Sequence, residues 1–338
     1  MSLAVSRRRI VTGAVGLGFA AIVVRPGRAA DYIFRQFHNQ SETSSLHRRL
    51  TEMWAAVKAE TNGRVETTVH AENAGIAGSD PAALKMLVSG ELQFFTLMGG
   101  ILGQVVPAAE VQQVPFAFRS EAEAHAASDG PLGDYIRAEM AAKGIHGLPV
   151  QAFDNGMRQI SSSKRAIVAA ADLEGQRIRL PAGQLFTDTF KALGAEPVTL
   201  NVNQIYDGLK SGKADAQENP LAVIELFKLY EVQRYISMTN HMWSGFNLMA
   251  HLGTWKALPD GIKEVIERNA TKHVRLQRED QRKLNASLRD TMAARGIAFN
   301  DADPASFRAR LAPVYAAWKQ KLGAKCWSLL EQTSGPLG

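Results

Sequence analysis

One cysteine is too few for an intrachain disulfide, so Cys326, beside Trp327, leaves the fold to rest on hydrophobic cores. Histidine is sparse as well. The eight histidines are scattered, and no two stand four apart as a helical metal site would need. No G-x-S-x-G elbow, H-E-x-x-H, C-x-x-C or phosphate-binding loop occurs. The glycines Gly99, Gly100 and Gly103 lack dinucleotide spacing. After Val24 no apolar run is of membrane length, since a spanning helix takes roughly 20 residues. Together these absences argue against a cofactor-bound, metal-bound or hydrolytic enzyme. They do not exclude one whose groups converge from distant segments.

An excess of positive charge is also missing once its location is considered. The chain has 39 Lys+Arg against 33 Asp+Glu, but Arg7, Arg8, Arg9, Arg25 and Arg28 precede Asp31 with no acid among them. The remainder is close to neutral, which removes the case for nucleic acid. The first thirty residues read as a leader instead. Paired arginines open it, a short apolar stretch runs from Ile10 to Val24, and small residues lead to Ala30. This order predicts an export signal at residues 1–30 of the twin-arginine (Tat) kind, removed after Ala30, and a periplasmic protein.

Beyond the leader, apolar and amphipathic segments alternate. Strands are expected over Tyr32–Phe37, Arg64–His70 and Leu92–Met98. Helices are expected over Leu46–Thr61 and Pro81–Val88, the second capped by Asp80. This order predicts a mainly parallel sheet covered by helices. A second series starts near Gly144, with strands at His146–Phe153, Arg158–Ser163, Arg177–Leu180 and Ala214–Gln217. Its helices fall at Leu185–Leu193 and Asn203–Lys210, with a short run Pro197–Leu200 between them. Gly261 to about Arg295 reads as one helix of roughly 50 Å, longer than a small domain.

Several motifs stand in register between Asn155 and Met242. They include Asn155-Gly156-Met157-Arg158, Asp172-Leu173-Glu174-Gly175-Gln176-Arg177-Ile178-Arg179-Leu180-Pro181 and Asp215-Ala216-Gln217-Glu218-Asn219-Pro220. Tyr230 to Tyr235 and Thr239-Asn240-His241 follow. This series resembles the solute-binding proteins of TRAP (tripartite ATP-independent periplasmic) transporters, and the likeness runs from about Asp31 to the end. The resemblance implies an α/β fold, a two-lobed periplasmic binding protein with mixed sheets, an interlobe cleft and a long helix contacting both lobes. Lobe I would comprise 31–155 plus 245–283, and lobe II 156–244 plus 284–338. It further implies a non-enzymatic, monomeric receptor without cofactor, metal or nucleic acid, which delivers a small organic acid to integral membrane subunits. An extracytoplasmic sensor with the same clamp is an alternative.

By this resemblance Arg179, at the end of a strand, forms the ligand's carboxylate salt bridge, with Arg158 helping and Asn219 orienting both. A guanidinium suits the task because its planar fork matches two carboxylate oxygens. Asn39, Asp80 and Tyr206 are further candidates for the cleft, as are the aromatics Phe153 and Trp243. Met98 stands where the sialic-acid type carries an acid, and Val202 near its phenylalanine. These departures predict a monocarboxylate with an apolar or aromatic body.

Overall fold

A computed structural model describes residues 29–337, and the expected leader, apart from its last two residues, lies outside the described residues. Ten strands are seen among them: β1 Tyr32–His38, β2 Val65–His70, β3 Phe94–Met98, β4 Ile145–Ser162, β5 Arg177–Leu180, β6 Glu196–Thr199, β7 Ala216–Pro220, β8 Tyr235–Met238, β9 Trp243–His251 and β10 Ala298–Asp301. Their order is β2-β1-β3-β9-β4-β7-β5-β6, with β8 added to β4 and β10 to β8.

Each half begins as its sequence pattern dictates. The Ser45–Glu60 helix buries Leu46, Leu50, Met53, Trp54 and Val57 on one face, and Ser44 caps it by accepting from the His47 N–H at 3.1 Å. The β1–β2, β1–β3, β5–β6 and β5–β7 pairs are parallel. The expectation of a mainly parallel sheet fails at the centre. There β9 runs antiparallel to β3 and β4, and β4 runs antiparallel to β7 and β8. All of β9 from Trp243 to Ala250 is buried, so it shows neither alternation nor a helical period to read.

The two strands expected at 146–153 and 158–163 are one strand, β4, which passes from the first half of the sheet into the second. Its pairing with β9 shifts register between Asp154 and Met157. Gly156 lies there at φ +97°, and a β-carbon on it would sit 2.7 Å from Asn285 Nδ2. The backbone therefore calls for glycine, and a side chain would also displace the Asn285 amide. Beside this point Gln277 accepts from the Asp154 N–H at 2.8 Å and donates to the Asp154 carbonyl at 2.7 Å. Gln277 belongs to the long helix Asp260–Ala293, which packs on the Ser45–Glu60 helix, on β4 and on the Leu221–Leu226 helix. It thus contacts both halves of the sheet.

The C-terminal tail divides between the halves. The Pro304–Leu322 helix packs on the Gln184–Ala192 helix of the second half. Gly323, at φ +81°, then turns the chain, and the Ala324–Ser334 helix packs on the Glu121–Asp129 and Pro131–Ala141 helices of the first. The last helix of the segment 284–338 thus packs beside helices of the first half. The cause is the buried set Cys326, Trp327 and Leu330, which needs an apolar face to cover it. Burial, helped by Glu139, pushes the Cys326 thiol up to about 12, so it is a packed group and not a nucleophile.

Two histidines make folding sensitive to acid. Burial, and then neighbouring His47, pushes His38 down to about 3. His146, stacked on Trp255 with ring centroids 4.2 Å apart, is pushed down to about 4 by burial and then by Arg137 and Lys263. In the unfolded chain both take up protons near 6.5. Below that pH the unfolded state binds more protons, so their contribution to stability declines from about pH 6.5 toward 4. Melting temperatures measured across this range should fall with pH, and less steeply in His146→Gln. An equal slope in the variant would remove His146 from the account.

Candidate functional site

The carboxyl ends of the parallel strands in both halves converge on one point, the usual position for a ligand crevice in open α/β sheets. Asn39 and Gln40 follow β1, Met98 ends β3, Arg179 and Pro181 stand at the end of β5, and Asn219 lies near the end of β7. With Asp80, Arg158, Asn155, Ser244, Phe246, Ile101, Val202 and Val223 they line a cavity of about 20 Å³. On the same scale one water needs about 10–15 Å³.

The two arginines at this cavity differ in kind. Each is 2% exposed. Arg158 is fully engaged. Its Nε and Nη2 fork onto the Glu218 carboxylate, with Nη2–Oε1 at 2.7 Å, and Nη2 also reaches the Glu218 carbonyl and Asn219 Oδ1. Nη1 donates to Ser244 Oγ at 3.2 Å, and the guanidinium lies over the Phe186 ring at 5.3 Å. Burial alone would push the Glu218 carboxyl up. Arg158 and His241 outweigh it and hold the group below the ordinary range, so this is an ion pair. His241 is held below its ordinary value by burial, which opposes the attraction of Glu218.

Arg179 has no such partner. Its Nε and Nη2 donate to the Leu200 carbonyl at 3.0 and 2.6 Å, and among the described residues Nη1 has no hydrogen-bond acceptor. Burial pushes Arg179 down to about 9, with Glu218 and Asp80 opposing and Arg158 adding to the shift. At neutral pH it remains a cation, buried and without a hydrogen-bonded carboxylate.

Asp80 does not cap its helix. The helix begins at Ser79 after Gly78, and the Asp80 carboxylate accepts instead from Asn39 Nδ2 at 2.9 Å and Asn73 Nδ2 at 2.7 Å. Burial pushes this carboxyl up, against the two amides and the field of Arg179. The amide chain continues, because Asn39 Oδ1 accepts from Gln40 Nε2 at 3.2 Å. Asn219 is oriented from below, donating to Gln217 Oε1 at 2.6 Å.

Arg179, Arg158, Asn219, Asn39, Asp80 and Met98 are thus brought together, and three expected residues are not. Tyr206 sits on the outer face, its hydroxyl donating to Glu231 at 2.9 Å and its ring beside Lys210. Trp243 turns away from the cavity, donating its indole N–H to Asp154 at 2.8 Å and packing edge-on against Phe118 and His125. Phe153 is fully buried in the main core. Residues the sequence did not single out are Glu218, Ser244 and Asn155. Glu218 stood inside a quoted motif beside Asn219, but only the β4–β7 pairing shows that it faces Arg158. Among the described residues, no cluster of His, Cys, Asp or Glu could hold a metal ion.

Comparison with known proteins gives the family. Residues 37–321 match the family described as bacterial extracellular solute-binding protein, family 7 (DctP). A Sinorhizobium fredii protein designated y4mM is 35% identical over 72% of this chain, and the match spans 44% of that protein's length. A Roseobacter denitrificans TRAP periplasmic solute-binding protein, solved with bound β-D-glucuronate, superposes with a TM-score of 0.85 at 28% identity, covering 90% of this chain and 99% of that one. A Polaromonas relative bound to D-erythronate gives 0.84 at 26% identity, covering 89% and 98%. The family match and the shared fold place the chain among the periplasmic solute-binding proteins. The chain belongs to family 7 of the bacterial extracellular solute-binding proteins, the periplasmic receptors of TRAP transporters.

Proposed function

We propose that this receptor captures a small organic acid in the periplasm, clamps its carboxylate with Arg179, and hands it to the integral membrane subunits of a TRAP transporter. The carrying observation is the buried Arg179 guanidinium with an unused Nη1 edge. A desolvated cation attracts an anion far more strongly than a hydrated one. Arg158, already neutralised by Glu218, acts by holding Asn219 and Ser244 in place around the ligand. Asn39, Asp80 and Met98 complete the wall on the side of the first lobe. The lobes, 31–155 plus 245–283 and 156–244 plus most of the remainder, close by hinge motion near Gly156.

The ligand in this reading is a monocarboxylate with an apolar body. One cation without a hydrogen-bonded carboxylate suits one carboxylate, and Met98, Ile101, Val202, Val223 and Phe246 make much of the surrounding wall apolar. The bound glucuronate and erythronate of the two relatives are consistent with a single acid head group. A thermal-shift screen of organic acids tests the proposal. A ligand at 100 times its Kd should raise stability by about 2.7 kcal/mol through mass action. No shift with any carboxylate, set against shifts with neutral sugars, would remove the clamp. Arg179→Lys should also bind poorly, because a point charge cannot make the two-point contact.

A further inference from the structure

A second cavity, of about 200 Å³, adjoins the first and shares Gln40, Asn155 and Phe246 with it as a common wall. It lies between the start of the Ser45–Glu60 helix, the Leu221–Leu226 helix and the long helix. Its apolar surface comes from Leu46, Ala222, Leu226, Phe246 and Leu284. Among the described residues, no lysine, arginine or histidine lines it. Two carboxylates also line it, Asp154 and Glu225, the latter paired with Arg295, and the amides and hydroxyl at its far end bond to one another. Gln277 donates to Ser45 Oγ at 3.2 Å and to the Asp154 carbonyl, while Ser45 reaches Gln281.

The shared wall offers two amide oxygens without a hydrogen bond among the described residues, Gln40 Oε1 and Asn155 Oδ1. Asp80 Oδ2 accepts from Asn39 Nδ2, which turns that amide's nitrogen toward the carboxyl group. Asn39 then presents its oxygen to Gln40 Nε2, which leaves Gln40 Oε1 pointing elsewhere. Gln40 is 4% exposed, and among the described residues its Oε1 accepts no hydrogen bond. A donor on the ligand would give this oxygen a partner in the cavity wall.

Resting on the carboxylate reading above, we infer that the site has two compartments and takes an acid with a hydroxyl or N–H donor between its carboxylate and a neutral apolar tail. The carboxylate meets Arg179 in the small compartment. The donor meets Gln40 Oε1 at the wall, and the tail fills the larger chamber. A second carboxylate in the tail is excluded, because the chamber offers it no cation and would strip its water.

Titration calorimetry of the full mature chain with 2-hydroxyhexanoate, lactate and adipate tests this. Three further methylenes buried in the chamber should make 2-hydroxyhexanoate bind roughly tenfold or more tighter than lactate. Adipate should bind weaker than 2-hydroxyhexanoate. In Ala222→Phe the ratio between the hydroxy acids should fall to near one. Leu226→Trp, closing the chamber from another turn, serves if the first variant does not fold. An unchanged ratio in a folded variant, or adipate binding best, overturns the two-compartment site while leaving the clamp intact. Loss of all three acids in Arg179→Ala, with the ratio collapsed in Ala222→Phe, supports both. Wild-type protein that binds none of the three overturns the inference, and an empty wider acid screen then overturns the clamp as well.

Discussion

Replacing Arg179 by alanine should abolish most carboxylate binding while the protein stays folded. Removing one partner of a desolvated charge pair costs about 2–5 kcal/mol, or roughly thirtyfold to several thousandfold in Kd. The protein itself loses little in exchange. Arg179 makes its hydrogen bonds to one carbonyl, that of Leu200, and its guanidinium is buried at a free-energy cost. The free variant should therefore melt at or above the wild-type temperature, whereas the ligand-induced rise should vanish. Calorimetry and melting on the same samples separate the two effects. Near-normal affinity in a folded Arg179→Ala protein would mean that the acid is held elsewhere.

The second large effect falls on folding. Glu218→Ala leaves Arg158 charged, buried and without its carboxylate, a loss that typically costs about 3–5 kcal/mol. Chemical denaturation should show a much lower midpoint at pH 7. The double variant Arg158→Met/Glu218→Leu should recover much of that stability, because a buried ion pair is often replaceable by packed apolar side chains. It should still bind acid poorly, since Asn219 and Ser244 lose the guanidinium that holds them. A Glu218→Ala protein as stable as wild type would show that the pair is not what its burial implies. The pair also has a pH signature. The Glu218 carboxyl is held below its ordinary range, so its stabilisation is present above about pH 4.5 and fades as pH falls through the lower folded value.

Much of this was legible in the sequence where a single element determined the answer. The period of Leu46, Leu50, Met53, Trp54 and Val57 marks a helix whatever surrounds it, and β5 was bounded by Pro181. The pairing of β4 with β9 was not legible, because a strand covered on both faces shows no alternation. The same covering explains Phe153 and Trp243. Nothing in a strand buried on both faces tells which ring meets the cavity and which meets the helix behind it. Tyr206 erred differently, since a motif position gives a place along the chain but not a side of the helix. The partner of Arg158 needed a cross-strand register that only the assembled sheet supplies.

The grip of Gln277 on both backbone groups of Asp154 has a mechanical meaning. A side-chain amide here does the work of a missing neighbouring strand, tying the crossing chain to a rigid rod at one point. Rotation pinned at that point displaces atoms in proportion to their distance from it. The outer rims of the two lobes would sweep the widest arc, and the backbone around residue 155 would scarcely travel. A docking partner that grasps those rims could thus tell a loaded receptor from an unloaded one without touching its cargo.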